Sequence, residues 1–182
     1  MPRVLIPLVI GGLASFALAG CSGHPAHAAT ARTHCGLVTS GAQGGRAVVS
    51  YEDSTGVPAM STAISAAVAA WNATSAPVML KATTSNPALT FNAGHTQPPL
   101  PPCTGTAPRM VSLTWNTKFW SAAGGKQAVL DPTGDAEHAI AHALGLIPGG
   151  HCPTLMAKGA CPHRTTTPTA SQLQVLAKLY KG

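Results

Sequence analysis

The spacing of apolar and polar residues predicts short strands and three helices between residues 46 and 182. Runs of β-branched, aromatic and other apolar residues predict four strands, at 47–51, 78–82, 88–92 and 110–115. Apolar residues at helical spacing predict three helices, at 58–76, 135–146 and about 170–181. We therefore expect an α+β single domain with a small mixed sheet of about four strands and three helices.

Polar residues at the predicted helix starts indicate how two of these helices begin. Thr133 or Asp135 is the expected N-cap of the second helix, and Gly145 is expected near its end. Thr169 and Gln172 have the spacing of a capping box at the start of the last helix.

Two segments lack any apolar period. Residues 97–103 contain four prolines, which exclude a central strand and predict an extended loop. Residues 22–43 mix Ser, Gly, Thr and Ala with His24, His27 and His34, a composition that is typical of a flexible tether.

The N-terminus has the pattern of an export signal. Arg3 precedes the apolar stretch 4–19, which is too short to favour a permanent membrane span. The following Leu-Ala-Gly-Cys, ending at Cys21, resembles the lipobox of bacterial lipoproteins, which implies cleavage before Cys21 and its lipidation. We expect a signal peptide at 1–20, a tether at 21–45, a folded domain at 46–182, and anchoring by Cys21 at the extracytoplasmic cell envelope.

Charge is sparse in this chain of 182 residues. Eleven Lys and Arg stand against five Asp and Glu, and only 9% of the residues are charged. The basic residues are scattered and do not alternate with aromatic residues, so we expect no nucleic-acid binding. The expected oligomeric state is a monomer.

Four cysteines remain when Cys21 is set aside: Cys35, Cys103, Cys152 and Cys161. An even number in an oxidising compartment favours two disulfides, with three possible connectivities. We favour Cys152 with Cys161, which closes a short loop, and Cys35 with Cys103. A zinc–thiolate site is the alternative, but no Cys-x-x-Cys spacing supports it.

The predicted second helix carries the most informative chemistry. His138 and His142 are four residues apart, so both imidazoles project from one face of a helix and can bind one cation. Gly145 follows the second His by three residues, and Leu155 and Met156 follow about a dozen residues later. This order traces the outline of a metzincin zinc motif followed by a Met-turn.

From residue 46 onward the chain resembles the snapalysin family of small secreted zinc metallopeptidases, which are related to metzincins. The similar segments are 49–53 in the first predicted strand, 70–72 in the first helix and 141–146 in the second. The resemblance implies a metzincin-like fold, a bound zinc ion and a Met-turn at Met156. It also implies a disulfide between Cys152 and Cys161 around that turn.

One departure from the family concerns catalysis. The family's general base is the Glu after the first His, and here that position is Ala139. General acid–base catalysis contributes about 10²- to 10⁴-fold to rate. Glu137 is a weak substitute, because it points about 200° away from position 139 around the helix. Asp135 is expected to cap the helix or to support His138.

The other departure concerns the third metal ligand. Three residues after Gly145, where metzincins have a His and snapalysins an Asp, stands Pro148, which has no side-chain donor. His151 is the candidate third ligand beside His138 and His142, since Gly149 and Gly150 allow the chain to turn back. The alternative is that His151 is an exposed loop residue, and His95 and His163 are more distant reserves.

These features leave three functions open. The first is a metallopeptidase-like lipoprotein that has lost efficient catalysis but binds zinc and peptide-like chains along the strand at 110–115. The second is an active zinc endopeptidase with a displaced base. The third is a structural envelope lipoprotein without metal.

Overall fold

The computed structural model of the protein describes residues 35–96, 98, 100, 107–120, 131–158, 161, 163–165 and 167–180. The strands in this part of the chain are β1 (Gly41–Gln43), β2 (Arg46–Ser54), β3 (Val78–Ala82), β4 (Leu89–Gly94) and β5 (Val111–Asn116). The helices are α1 (Pro58–Ala73), the single turn α2 (Thr117–Trp120), α3 (Pro132–Ala143) and α4 (Ala170–Tyr180).

All five strands join one mixed sheet around β2. β3 and β4 pair with β2 in parallel, and β1 pairs with it antiparallel. β1 lies beside the first residues of β2, whereas β4 lies beside its last residues, from Tyr51 to Ser54. β5 extends the sheet beyond β4 in parallel register. The α+β class with a mixed sheet and three longer helices is therefore confirmed.

One apolar core connects the sheet to the three longer helices. Trp71 of α1, Phe91 of β4 and Ile140 of α3 are completely buried in it, and Leu176 anchors α4. Along β5 buried and exposed residues alternate, with Val111, Leu113 and Trp115 facing the core. This alternation is typical of a half-buried strand. It also determines which β5 side chains face the helices.

The folded part begins earlier than the sequence pattern predicts. Leu37 is buried and pairs with Arg109 in a parallel β-bridge. Strand β1 also lies within the segment that was predicted as a tether. The Leu37 amide donates to the Tyr180 hydroxyl at 2.8 Å, and that hydroxyl donates to the Leu144 carbonyl at 3.1 Å. The last helix thereby holds the N-terminal segment in place.

The predicted strands are otherwise found with shifts of a few residues at their ends. β2 continues through Glu52 and Asp53, beyond the predicted end of the strand at residue 51, because their backbone pairs with β4. The capping box is confirmed: Thr169 N–H donates to the Gln172 side chain at 2.8 Å, and Gln172 N–H donates to Thr169 Oγ1 at 3.3 Å.

Several predictions lie outside the described residues. They are the signal peptide, lipidation at Cys21, the histidines of the tether and the pairing of Cys35 with Cys103. Among the described residues there is no helix long and apolar enough to cross a membrane.

Candidate metal-binding site

Helix α3 begins at a cap that also anchors a distant segment. Asp131 is the N-cap, not Thr133 or Asp135, and its side chain accepts a hydrogen bond from Gly134 N–H at 2.9 Å. Pro132 follows at the first helical position, where its fixed φ suits a helix start. The other Asp131 oxygen accepts from the backbone N–H of Arg164 at 2.8 Å. The cap therefore fixes α3 against the segment around residue 164.

Arg164 connects the helix to the loop that follows it. Its buried guanidinium forms a 3.0 Å ion pair with Asp135 and donates to the Ala157 carbonyl at 2.8 Å. Asp135 thus supports the site through Arg164, and the cap role predicted for it belongs to Asp131.

The C-terminus of α3 is closed by a Schellman motif at Gly145. Gly145 N–H donates to the His142 carbonyl at 3.1 Å, and Leu146 N–H donates to the Ala141 carbonyl at 3.0 Å. Gly145 has a φ of +107°, which residues with a Cβ rarely adopt. This turn brings the Leu146 carbonyl to the face of the helix that carries the two histidines.

Both histidine rings are oriented by backbone carbonyls. His138 Nδ1 lies 2.9 Å from the Leu155 carbonyl, and His142 Nδ1 lies 2.9 Å from the Leu146 carbonyl. Because a carbonyl only accepts, each neutral ring carries its proton on Nδ1 and its lone pair on Nε2. A metal-binding His is held in this way, with one ring nitrogen bonded to a carbonyl and the other presented to the ion.

The two rings line one cavity of about 420 Å³. Their centroids are 6.4 Å apart, and the two ring planes are inclined to each other by 47°. The other lining residues are Pro98, Leu100, Leu113, Thr114, Trp115 and Ala139. Part of the Pro-rich loop and residues 113–115 of β5 therefore border the histidines.

Ala139, the position at which the resemblance to snapalysins places a general base, opens into this cavity. Ala139 lines it, whereas Glu137 is completely buried on the other side of the helix and is absent from the lining. Neither Glu137 oxygen has a hydrogen-bond partner. Glu137 is therefore buried away from the cavity, and it does not reach the place where a base would act.

Burial shifts the pKa of two groups on α3. Burial raises the pKa of Glu137 to about 7, and the nearby negative charge of Asp131 adds to the shift. Burial lowers the pKa of His138 and outweighs the opposite effect of its bond to Leu155. His138 is consequently neutral near pH 7, which is the protonation state that binds a metal.

A disulfide closes the loop that orients His138. Cys152 and Cys161 are bonded, as predicted, and the loop between them contains Leu155 and Met156. Both residues are buried, and the Met156 carbonyl accepts from Gly149 N–H at 2.6 Å. Met156 therefore packs in the core beside the residue whose carbonyl holds His138.

The predicted third ligand does not join the pair. Among the described residues, no three His, Cys, Asp or Glu side chains lie close enough together to hold a metal ion. His151 is exposed, as are His95 and His163. Two imidazoles suit zinc, but a catalytic zinc site has three protein ligands and a structural one has four. The described donors therefore fit only part of a zinc site.

Sequence reasoning missed the residues that support the histidines. The Leu155 and Leu146 carbonyls are backbone groups with no residue-type signal, and Arg164 lies 29 residues from its partner Asp135. The one available signal was Asp131 before Pro132, a pattern typical of a capped helix start.

Comparison with known proteins gives structural similarity only. Neither protein families nor curated protein sequences give a match to the chain. Among solved structures, it is similar to myroilysin, with a TM-score of 0.40 and 14% identity over 62% of this chain and 54% of that chain. It is also similar to high choriolytic enzyme 1, a hatching-enzyme zinc protease from the medaka Oryzias latipes, with a TM-score of 0.39 and 20% identity over 62% of this chain and 50% of that one. The matched part makes up about half of each of these proteins.

Proposed function

We propose that this protein is a metzincin-like, snapalysin-type lipoprotein that binds zinc through His138 and His142 and binds peptide-like chains, with little or no hydrolysis. The observation that carries the proposal is the pair of carbonyl-oriented imidazoles on one cavity whose general-base position is Ala139. The rings are held as metal ligands are held, but no carboxylate stands where a water molecule would be deprotonated.

The edge of β5 that points away from β4 is the proposed peptide-binding element. Val111 N–H donates to the carbonyl of Ala88, the residue just before β4, so in a parallel ladder the backbone groups of Val111, Leu113 and Trp115 face β4. The backbone groups of Ser112 and Thr114 then point away from β4. Among the described residues, no other strand pairs with this edge. An extended chain added here would pass the cavity beside Thr114.

A hydrolysis assay tests the catalytic part of the proposal. Purified full-length protein with added zinc is incubated with casein and with a quenched fluorescent peptide. We expect no turnover above buffer. Hydrolysis that a chelator abolishes and that His138→Ala also abolishes would show an active peptidase and refute this part.

A matched pair of variants tests the peptide edge. Thr114→Pro removes the N–H that faces the open edge without removing a bond to β4, whereas Thr114→Val keeps the N–H and the side-chain shape. We expect Thr114→Pro to weaken binding of an extended peptide by about tenfold, measured by fluorescence anisotropy, and Thr114→Val to bind like the wild type. Equal affinities for both variants would contradict this binding mode.

A structural envelope lipoprotein without metal is the second candidate, and the lack of a third donor beside the two histidines within the described part of the chain favours it. Zinc content separates the two functions. Elemental analysis of protein purified without an affinity tag and dialysed against trace zinc should give bound zinc that His142→Gln reduces. Zinc content that is unchanged by His138→Gln and by His142→Gln would favour the metal-free function.

A further inference from the structure

Two large apolar side chains are exposed side by side on the outer face of the sheet. Val38 is 42% exposed and Met110 is 70% exposed, and no other large apolar side chain among the described residues is as open to solvent. Leu37 pairs with Arg109 in a parallel bridge, so Val38 and Met110 are neighbours. Both lie on the face opposite to Leu37 and Val111, which are buried. They therefore form one apolar pair on the face of the sheet that points away from the core.

This outer face is apolar near the starts of the strands and polar near their ends. Val48 of β2 and Met79 of β3 are paired on it, because the residues that follow them, Val49 and Leu80, point into the core. We call Val38, Val48, Met79 and Met110 the outer apolar patch. The polar half of the same face consists of Glu52, Thr90, Asn92, Ser112 and Thr114.

Positive charge borders the outer apolar patch. Lys81 is exposed on the same face, two residues after Met79. Arg46 begins β2, and its guanidinium donates to two backbone carbonyls at 2.9 Å. Of the two acidic residues in the sheet, Glu52 belongs to the polar half and Asp53 lies on the opposite face. Exposed apolar side chains beside cations suit a surface of anionic lipid headgroups above acyl chains.

The patch also lies next to the place where the proposed lipid anchor joins the domain. Val38 follows Cys35, the first described residue, by three positions. Cys21 precedes Cys35 by 14 positions, and a chain of that length reaches at most about 50 Å. A lipid on Cys21 would therefore keep this side of the domain close to the bilayer.

We propose that the outer apolar patch rests on an anionic lipid bilayer, with Val38 and Met110 at the boundary between headgroups and acyl chains. This rests on the lipoprotein part of the proposed function and goes beyond it, because it fixes the orientation of the domain on the membrane. Thr114, which borders the cavity, is four residues from Met110 along β5, or about 13 Å. The cavity thus stays open while the patch contacts lipid.

Photochemical cross-linking to lipid tests this orientation. The full-length protein is produced in a bacterial host that processes lipoproteins. It is then reconstituted into vesicles of phosphatidylcholine and phosphatidylglycerol that carry a diazirine on the acyl chain, and adducts are mapped by mass spectrometry. We expect adducts at Val38 and Met110 and none at Gln174, which is exposed on α4. Adducts that avoid Val38 and Met110, or that spread equally over α4, would overturn the proposal.

Three variants separate the apolar and the electrostatic contributions. Met110→Gln keeps the length of the side chain and should lower the adduct yield at Val38 by about tenfold. Lys81→Gln should lower it by up to about fivefold. Lys178→Gln is the matched control, because it removes the same charge from an exposed position on α4 and should change nothing. Equal yields in the wild type and all three variants would also contradict the proposal.

Two other results have distinct meanings. Dimerisation in analytical ultracentrifugation that Met110→Gln abolishes, without lipid adducts at the patch, would assign the patch to a second copy of the chain and overturn this inference alone. A protein that floats with vesicles no better than its Cys21→Ser variant would overturn the lipoprotein part of the proposed function, and the inference with it.

Discussion

Replacing Gly134 by Ala should destabilise the protein, although Ala is the better helix former. A Cβ at this position would lie 2.7 Å from Asp131 Cγ and 2.9 Å from Arg164 Cβ, and closer still to an Asp131 oxygen. Relief requires the Asp131 side chain to move. It would then lose its bonds to the N–H groups of Gly134 and Arg164.

The size of the effect follows from these two bonds. Loss of an N-cap costs about 1 kcal/mol, and leaving a partly buried N–H unsatisfied costs about 1–3 kcal/mol. The gain in helix propensity from Gly to Ala is about 1 kcal/mol. Gly134→Ala should therefore lower the free energy of unfolding by about 2 kcal/mol, or the melting temperature by roughly 4–8 °C for a domain of this size.

Urea unfolding followed by circular dichroism measures this change, with an unchanged slope as the sign of a simple loss of stability. Gly149→Ala is the matched control, because no atom lies within 4 Å of its added Cβ and its φ is not in the left-handed region. It should equal the wild type or exceed it by up to about 1 kcal/mol. If the clash with Asp131 is the cause, Gly134→Ala should cost much less in an Asp131→Ala background. A Gly134→Ala protein as stable as the wild type would refute the reasoning.

Three further changes probe the surroundings of the histidines. Gly145→Ala should cost about 1–3 kcal/mol because of its φ of +107°, and urea unfolding at one pH would show it. Glu137→Gln should remove a pH dependence of stability. The raised pKa of Glu137 means that the folded state prefers the protonated acid. The free energy of unfolding of the wild type therefore falls by up to about 3 kcal/mol as the pH rises from about 4.5 to about 7. If the unfolding midpoints of the wild type and of Glu137→Gln changed with pH in the same way between pH 4 and pH 8, this prediction would be wrong. Replacing Cys152 and Cys161 by Ser should weaken zinc binding by tenfold or more, because the loop that carries the Leu155 carbonyl loosens, and equal calorimetric affinities would count against this.

The histidine pair was predictable because a helix places positions four apart on one face whatever surrounds it. The strands were predictable from their apolar runs, and the Cys152–Cys161 bond from the short interval between the two cysteines. β1 was missed because Gly41–Gln43 is short and exposed, and only its pairing with β2 makes it a strand.

The third ligand could not be predicted in the same way. His151 lies in a loop whose course depends on Gly149, Gly150 and the disulfide, and no periodic rule fixes where such a loop points. The same holds for Glu137, whose burial depends on how α3 packs against the rest of the fold. Local geometry is encoded in nearby residues, whereas the completeness of a site depends on contacts between distant ones.

Because it donates to the Tyr180 hydroxyl, the Leu37 amide reports on the position of helix α4. The hydroxyl accepts from Leu37 N–H and donates to the Leu144 carbonyl, so α4, the N-terminal segment and the end of α3 share one buried junction. When α4 detaches, the Leu37 amide loses its acceptor even if the sheet stays intact. Its hydrogen-exchange rate should therefore follow the opening of α4 and not that of the strands. Ligands that tighten the end of α3 would then be visible as slower exchange at Leu37, far along the chain from the histidines.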